Sequence, residues 1–172
     1  MRLSGKKVVI FVERDYQDLE VWYPLLRLKE EGADVLPVGT GSSTTYTGKY
    51  GYPIEVVAAA AEISAEEVDA IIVPGGWAPD YLRRYPAVVS LVREAFDRGK
   101  IIASICHGGS LLVSAGVVDG KRLTSFMAVK DDLVAAGADY VDEEVVRDGN
   151  LITSRTPEDL PAFCRDIISA LS

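Results

Sequence analysis

Residues Lys100–Gly109 read KIIASICHGG, an apolar run of strand length that passes directly into cysteine, histidine and two glycines. Three earlier stretches share the strand-like part of this pattern: Lys7–Val12 (KVVIFV), Asp34–Val38 (DVLPV) and Val68–Val73 (VDAIIV). Short runs rich in Val and Ile are typical of parallel strands that are buried on both faces of a sheet. The sequence therefore predicts four parallel strands.

Helix-like segments separate or follow these strands. Leu19–Glu31 follows the first strand, and Ala87–Arg98 ends at Gly99, a residue type that commonly stands just after a helix. Residues 160–171 carry apolar side chains at helical spacing, which predicts a closing amphipathic helix. The alternation of strands and helices predicts an α/β three-layer sandwich, with a mostly parallel sheet and helices on both faces.

Two further segments carry the signals of antiparallel structure, the first as an antiparallel excursion and the second as a hairpin. Tyr46–Val57 contains glycines at positions 48 and 51, and Tyr140–Thr153 contains the pair Asp148-Gly149, a favoured hairpin turn. We expect these segments to make the sheet mixed at its edges.

The composition fits a single domain over residues 1–172. Of the 172 residues, 48% are hydrophobic, which supplies one buried core and leaves no length for a second domain of ordinary size. The formal net charge of -8 disfavours nucleic acid and anionic membranes as partners, so small neutral or electrophilic substrates fit better. No apolar run reaches about 18 residues and the N-terminus lacks a secretory pattern, so we expect a cytoplasmic protein.

The cysteine at the end of the fourth strand is the strongest candidate for chemistry. Ligands of open parallel sheets bind at the carboxyl ends of the strands, and Cys106 leads from its strand into a helix-compatible run closed by Gly116. This is the form of a nucleophile elbow, in which a helix N-terminus lowers the thiol pKa. The alternative is that Cys106 has no chemical role and is only a small side chain buried at the end of a strand. The second cysteine, Cys164, lies on the apolar stripe of the last helix and is predicted to belong to the core.

His107 is the only histidine of the chain, and two roles are open for it. In the first role, the ring of His107 is a base for Cys106 and is itself oriented by an acid. In the second, the residue contributes mainly its backbone N–H to the turn. Gly75 and Gly76 follow the third strand and offer two adjacent amides, which suit an oxyanion beside the amide of His107. A tight turn is the alternative explanation for these glycines.

Glu20 stands out among the acidic residues because of a proline four positions later. Pro24 has no N–H to give to the carbonyl of Glu20, so the helix should be kinked or just beginning there, and the carboxyl can point into a cleft. The acids around it, Glu13, Asp15 and Asp18, are predicted to form a solvated rim, because no histidine or second carboxylate cluster joins them. We expect neither a metal nor any other cofactor.

The chain closely resembles the PfpI family, the intracellular proteases and protein deglycases of the superfamily that includes the parkinsonism-associated deglycase. Segments of family type stand in family order along nearly the whole chain: AIIVPGGWAPD from Ala70, IIASICHGG from Ile101, GKRLTS from Gly120, VKDDLVAAGA from Val129 and DEEVVRDGNLITSRTPEDL from Asp142. The resemblance implies a flavodoxin-like fold of the class I glutamine amidotransferase type.

The resemblance also implies roles for the candidate residues. It makes Cys106 the nucleophile and Glu20 the carboxyl that hydrogen-bonds the cysteine sulfur. It makes the amides of Gly75, Gly76 and His107 an oxyanion hole.

In the protease-like branch of the family, the histidine is oriented by an acid from a neighbouring subunit. That position is Asp80 here, one methylene shorter than the Glu that relatives usually carry, and the chain would act as a homodimer or a higher assembly such as a hexamer. Phe126-Met127-Ala128 stands where relatives tend to have Tyr-Pro-Gly. Related amidotransferase domains take a histidine from near the last strand, where this chain has Thr153-Ser154-Arg155-Thr156, so amidotransferase activity is not expected.

Together these observations predict a cysteine-dependent hydrolase or lyase of the PfpI type that acts on reactive carbonyls. It would be a glutathione-independent glyoxalase or protein deglycase with a protective role under stress, and its partners would be small aldehydes or glycated proteins. Two alternatives stay open. One is an intracellular cysteine peptidase that uses Cys106, His107 and a neighbour's Asp80, and the other is a redox-sensing or chaperone-like protein in which Cys106 is oxidised to a sulfinate held by Glu20.

Overall fold

The computed structural model describes residues 1–172, which are organised around a seven-stranded sheet. In spatial order its strands are β10 (Val145–Asp148), β11 (Leu151–Ser154), β7 (Ile101–Ile105), β6 (Ala70–Val73), β1 (Lys7–Phe11), β2 (Asp34–Gly39) and β5 (Ala58–Ala59). All neighbouring pairs are parallel except β10 with β11. The four predicted strands are thus present and parallel, and the hairpin predicted at Asp148-Gly149 gives the sheet its mixed edge.

Six α-helices flank this sheet. They are α1 (Asp18–Glu30), α2 (Ala78–Leu82), α3 (Pro86–Asp97), α4 (Gly109–Ala115), α5 (Lys130–Ala135) and α6 (Leu160–Leu171). Helix α1 packs with α6, whereas α2, α3 and α5 each pack with α4, so the helices form two separate groups. The predicted α/β sandwich is confirmed. None of the helices has the length and hydropathy that a membrane span requires.

The antiparallel excursion predicted within Tyr46–Val57 is a hairpin, and it lies outside the central sheet. Its strands β3 (Thr45–Thr47) and β4 (Pro53–Glu55) pair only with each other. The carboxylate of Asp18 explains this position, because it accepts hydrogen bonds from the amides of Tyr50 and Tyr52, both at 3.0 Å. The hairpin tip is therefore held over the start of α1. A second small pair, β8 (Arg122–Leu123) with β9 (Asp139–Tyr140), is parallel.

The core surrounds the central strands. All residues of β6 and β7 are buried, and all except Ser104 belong to one cluster of 49 buried hydrophobic residues. Because β1, β6 and β7 are parallel neighbours, their carboxyl ends open at the same edge of the sheet. Cys164 lies in this core with 1% of its surface exposed, as its position on the apolar stripe predicts.

Backbone contacts join the chain segments that leave β1 and β6. The amide of Gln17 donates to the carbonyl of Gly75 at 3.2 Å, and the amide of Trp77 donates to the carbonyl of Asp15 at 2.9 Å. Gly76 lies between these bonds with φ at +72°, and a Cβ atom there would lie 2.4 Å from the amide nitrogen of Gln17. Only glycine fits this crossing.

This crossing yields a stability prediction with a matched control. Gly76→Ala should lower the free energy of unfolding by more than about 2 kcal/mol, because it combines an unfavourable positive φ with a clash against backbone. Gly99 has φ of +73° and no atom within 4 Å of the position that a Cβ would take, so Gly99→Ala carries the conformational cost alone. Urea denaturation of both variants measures the difference, and equal losses would show that the crossing tolerates a side chain.

Candidate active site

Cys106 stands where β7 ends, in a backbone conformation that is unusual for its residue type. Its φ is +60°, it starts a single 3-10 turn (Cys106–Gly108), and α4 follows at once. Its carbonyl accepts a hydrogen bond from the amide of Phe126 at 3.1 Å, and 8% of the residue is exposed. The strand, sharp turn and helix have the form predicted for a nucleophile elbow.

Glu20 lies in the first turn of α1 and is completely buried. The side chain of Gln17 caps this helix by accepting from the amides of Leu19 and Glu20. Pro24 left two alternatives, a kinked helix or a helix that is just beginning at Glu20. The structure shows the second. The Oε2 atom of Glu20 accepts a hydrogen bond of 2.7 Å from the amide of Gly75, which ties α1 to the end of β6.

Burial controls the protonation of Glu20. It raises the pKa of this carboxyl from 4.5 to about 7, against the opposing effects of the Gly75 amide, the Cys106 thiol and the positive charge of Lys49. The second carboxyl oxygen, Oε1, has no hydrogen bond to nitrogen or oxygen. A carboxyl group with such a pKa keeps its proton in a large fraction of molecules at neutral pH.

Burial also raises the pKa of the Cys106 thiol, to about 12, and the charge of Glu20 is the next largest cause. The sequence-based expectation of a lowered thiol pKa is therefore wrong for the resting site. The amides of His107 and Gly76 favour the thiolate, but the loss of water around the sulfur outweighs them. Because the charge of Glu20 raises the pKa of Cys106 and the Cys106 thiol lowers the pKa of Glu20, the two groups titrate as a coupled pair.

The three amides proposed for an oxyanion hole fall into two groups. Those of Gly76 and His107 approach the sulfur of Cys106 and remain free to bind negative charge there. The amide of Gly75 has a different partner, since it donates to Glu20. A Cβ at Gly75 would lie 2.7 Å from Glu20 and 2.8 Å from Cys106, so this glycine leaves room for the carboxyl beside the thiol.

His107 places its ring as well as its amide at the site. Its Nδ1 atom is 3.3 Å from the sulfur of Cys106, and its ring stacks on that of Phe126 with centroids 4.9 Å apart. Burial and the charge of Lys49 lower the pKa of His107, which favours the neutral imidazole at neutral pH. Both roles predicted for this residue are compatible with its position, although no carboxylate of the chain contacts the ring.

The structure does not bring Asp80 to His107 within one chain. Asp80 lies in α2 with its side chain 60% exposed, and it forms an ion pair with Arg84 one turn later. Glu13 also differs from expectation. It is buried rather than solvated, because the hydroxyls of Thr40 and Ser42 donate to its carboxylate.

The cleft above Cys106 has a volume of about 490 Å³ and includes residues that sequence reasoning did not single out. Its lining comprises Gln17, Leu19, Glu20, Lys49, Tyr50, Cys106, His107, Phe126, Thr156, Pro157 and Glu158. The sequence contained one signal that Lys49 and Tyr50 could reach the cleft. The glycines at 48 and 51 mark a tight turn, and a tight turn can approach another element closely. A larger cleft of about 560 Å³, next to Arg14 and Tyr81, contains none of the candidate catalytic residues. No group of three or more side chains is arranged to hold a metal ion.

Sequence comparison places these residues among known proteins. The sequence pattern of the DJ-1/PfpI family matches residues 6–170. Deglycase PH1704 of Pyrococcus horikoshii is 43% identical over 165 residues, which are 96% of this chain and 99% of that protein. The putative cysteine protease YraA of Bacillus subtilis is 33% identical over 167 residues, which are 97% of this chain and 99% of that protein.

Solved structures with the same fold include two informative cases. A two-domain protein from Anabaena variabilis, with DJ-1/ThiJ/PfpI-like and ferritin-like domains, has a TM-score of 0.95 and 42% identity. The match covers 97% of this chain but only 48% of that one, so the present chain corresponds to about half of the two-domain protein. Drosophila melanogaster DJ-1beta has a TM-score of 0.90 and 28% identity, with coverage of 96% and 90%.

The buried carboxyl gives the protein a pH-dependent stability. The pKa of Glu20 is about 7 in the folded state, above its ordinary value of 4.5, so folding favours the protonated form. This stabilisation is complete below about pH 4.5 and is lost as the pH rises through 7, a change on the order of 3 kcal/mol. The Glu20→Gln variant, which cannot ionise, should lack this component.

Urea denaturation of the wild type and of Glu20→Gln at pH 5 and pH 8 measures this pH-dependent part of the free energy of unfolding. Parallel pH dependences in the wild type and the variant would mean that Glu20 is ionised in the folded protein at both pH values.

Proposed function

The chain belongs to the DJ-1/PfpI family, and on that basis we propose that it is a cysteine-dependent enzyme that converts reactive carbonyls into hydroxy acids. The favoured substrates are small 2-oxoaldehydes such as methylglyoxal and the early adducts that such aldehydes form on proteins. Relatives that carry the name deglycase support this proposal.

One arrangement carries the proposal: a thiol in a strained turn, with a buried carboxyl and a neutral imidazole beside it. Cys106 has φ of +60°, Glu20 is fully buried next to it, and His107 lies 3.3 Å from the sulfur. A nucleophile with two proton-transfer groups suits carbonyl chemistry, in which each intermediate gains or loses a proton.

The first step is attack of the Cys106 sulfur on the aldehyde carbon. A carbon–sulfur bond forms, the carbonyl electrons move to oxygen, and the amides of Gly76 and His107 stabilise the oxyanion. The proton that leaves the thiol is taken up by the ring of His107 and passed to this oxygen, which gives a hemithioacetal. In the resting site the thiol has the higher pKa of the two groups, so the thiolate does not form before the substrate enters. We propose that the thiol gives up its proton only during the attack, while Glu20 keeps its own and hydrogen-bonds the sulfur.

The second step moves a proton between the two carbons of the former dicarbonyl. The neutral ring of His107 removes the proton from the carbon bonded to sulfur and an enediol forms, since this carbon is acidified by the adjacent carbonyl. Reprotonation of the neighbouring carbon gives a thioester. Water then hydrolyses the thioester, which releases lactate from methylglyoxal and restores the thiol, so the net change is addition of water.

We assign this activity to protection against carbonyl stress in the cytoplasm. Free thiols persist in a reducing compartment, and both cysteines of the chain are free. Substrates would be neutral aldehydes and glycated protein side chains, which matches an exposed cleft at the end of the sheet.

This proposal predicts that one of the two cysteines is essential. Cys106→Ala should reduce lactate formation from methylglyoxal to the background rate, because the covalent route is lost. Cys164→Ala should retain the wild-type kcat, since Cys164 lies in the core away from the cleft. Lactate is measured enzymatically on both variants and the wild type from matched preparations.

Turnover that survives in Cys106→Ala would contradict the mechanism. Absence of turnover in the wild type, together with peroxide oxidation of Cys106 to a sulfinate seen by mass spectrometry, would favour the redox-sensing alternative.

A cysteine peptidase is the second candidate, favoured by the exposed position of Asp80. His107 has no carboxylate partner in its own chain, and the Asp80 side chain is 60% exposed, so a second copy could receive it. The relative named putative cysteine protease supports this candidate.

Self-association, which this candidate requires, has a candidate surface on α1. Leu19, Tyr23 and Leu26 share one face of the helix at helical spacing, and they are 56%, 38% and 58% exposed. Exposed apolar stripes of this kind are common at subunit interfaces. We propose a homodimer or a larger assembly on this basis.

If Asp80 of one copy orients His107 of another, then peptidase activity should depend on both Asp80 and assembly. Asp80→Ala should reduce cleavage of a fluorogenic peptide at least tenfold and methylglyoxal turnover much less. Asp97→Ala is the matched control, because it removes another exposed carboxylate paired with an arginine one turn away.

Mixing Cys106→Ala with Asp80→Ala, after subunit exchange has been verified, should restore part of the peptidase activity. Lack of restoration would contradict a site that uses Asp80 from a neighbour.

A further inference from the structure

Lys49 is the only lysine or arginine that lines the cleft above Cys106. It belongs to the tip of the β3–β4 hairpin, in which the sequence pattern predicts only a pair of edge strands. The proposed reaction has no step that uses a cation from this hairpin. Its position in a protein with a net charge of -8 therefore requires a separate explanation.

The backbone of Lys49 is fixed against the start of α1. Its amide donates to the carbonyl of Tyr16 at 2.9 Å. The amides of Tyr50 and Tyr52, which follow it in the hairpin tip, donate to the carboxylate of Asp18. The preceding residue, Gly48, lies so close to Asp18 that a Cβ there would be 2.3 Å from its Oδ1 atom. The hairpin tip thus holds the base of the lysine side chain at the rim of the cleft.

The ammonium group has no anionic partner in the chain. No carboxylate oxygen lies within 4.0 Å of its Nζ atom, which is instead 5.3 Å from the centre of the Tyr50 ring. Its charge nevertheless reaches the site, since it lowers the pKa values of both Glu20 and His107. Glu158 also lines the cleft, where it is exposed to solvent and forms no ion pair with Lys49.

We propose that Lys49 binds the carboxylate group of 2-hydroxy acids in the Cys106 cleft. This inference rests on the proposed function for the identity of the ligand, because that reaction converts a neutral dicarbonyl and water into a hydroxy-acid anion and a proton. An ammonium group forms a charge-assisted hydrogen bond with a carboxylate. Lactate therefore binds as an inhibitory product.

Binding is measured without turnover through the only histidine of the chain. The ring signals of His107 in NMR spectra report occupancy of the cleft during titration with lactate or with lactamide, its neutral analogue of nearly equal size. Lys49→Met should weaken lactate binding about tenfold and leave lactamide binding unchanged.

Lys130→Met is the matched control, because Lys130 also lies over an aromatic ring, with Nζ 5.5 Å from the centre of Tyr140, but does not line this cleft. It should bind lactate as the wild type does. Equal lactate affinity in the wild type and in Lys49→Met, or no lactate binding to the wild type at ligand concentrations up to about 100 mM, would overturn the inference.

A second readout tests the position of the charge. Loss of the ammonium group should raise the pKa of His107, which the same NMR signals give from a pH titration. An unchanged value would place Lys49 outside the cleft and overturn the inference.

The two proposals fail in different ways. If methylglyoxal is not turned over but lactate binding depends on Lys49, the proposed function falls and the anion site remains. If turnover depends on Cys106 and lactate binds equally to Lys49→Met, only the anion site falls.

Discussion

The site depends on a backbone conformation that residues other than glycine rarely adopt. Cys106 has φ of +60°, which costs a side-chain-bearing residue about 1–2 kcal/mol. The neighbouring structure maintains this strain: β7 is fixed between β6 and β11, and the Phe126 amide holds the Cys106 carbonyl. Gly108 completes the turn, since a Cβ there would lie 2.7 Å from the carbonyl of Val73. The sulfur is thereby directed to the cleft at the edge of the sheet.

Loss of water is the main source of the electrostatics around this sulfur. The same burial that raises the pKa of Glu20 also raises that of Cys106, so the site resists a state in which both groups are charged. In open solvent, Glu20 would be ionised at neutral pH and would only repel a thiolate. In the buried site it can keep a proton, and the amides of Gly76 and His107 then become the favourable partners of a charged sulfur.

Sequence reasoning succeeds where the signal is local. Buried strands follow from apolar runs, the turn at Cys106 follows from the change of strand to glycine-rich segment, and the helix start at Glu20 follows from a nearby proline. It fails where a property depends on contacts between distant segments. The partner of the Gly75 amide depends on where α1 packs, the burial of Glu13 depends on hydroxyls more than 25 residues away, and Lys49 reaches the cleft because its hairpin lies outside the sheet. The predicted thiol pKa is wrong for the same reason, because a helix N-terminus is visible in sequence and burial is not.

The two edges of the central sheet bear on how copies of the chain can meet. Strand β5 has only two residues, and β10 ends in the charged pair Arg147-Asp148, with Asp148 accepting a bond from the backbone of Arg122. Short or charged edge strands offer a poor template for a further strand. Any association between copies would therefore use side chains rather than extend the sheet. At the high concentrations of a crowded cell, this arrangement protects the folded protein from fibril-like growth.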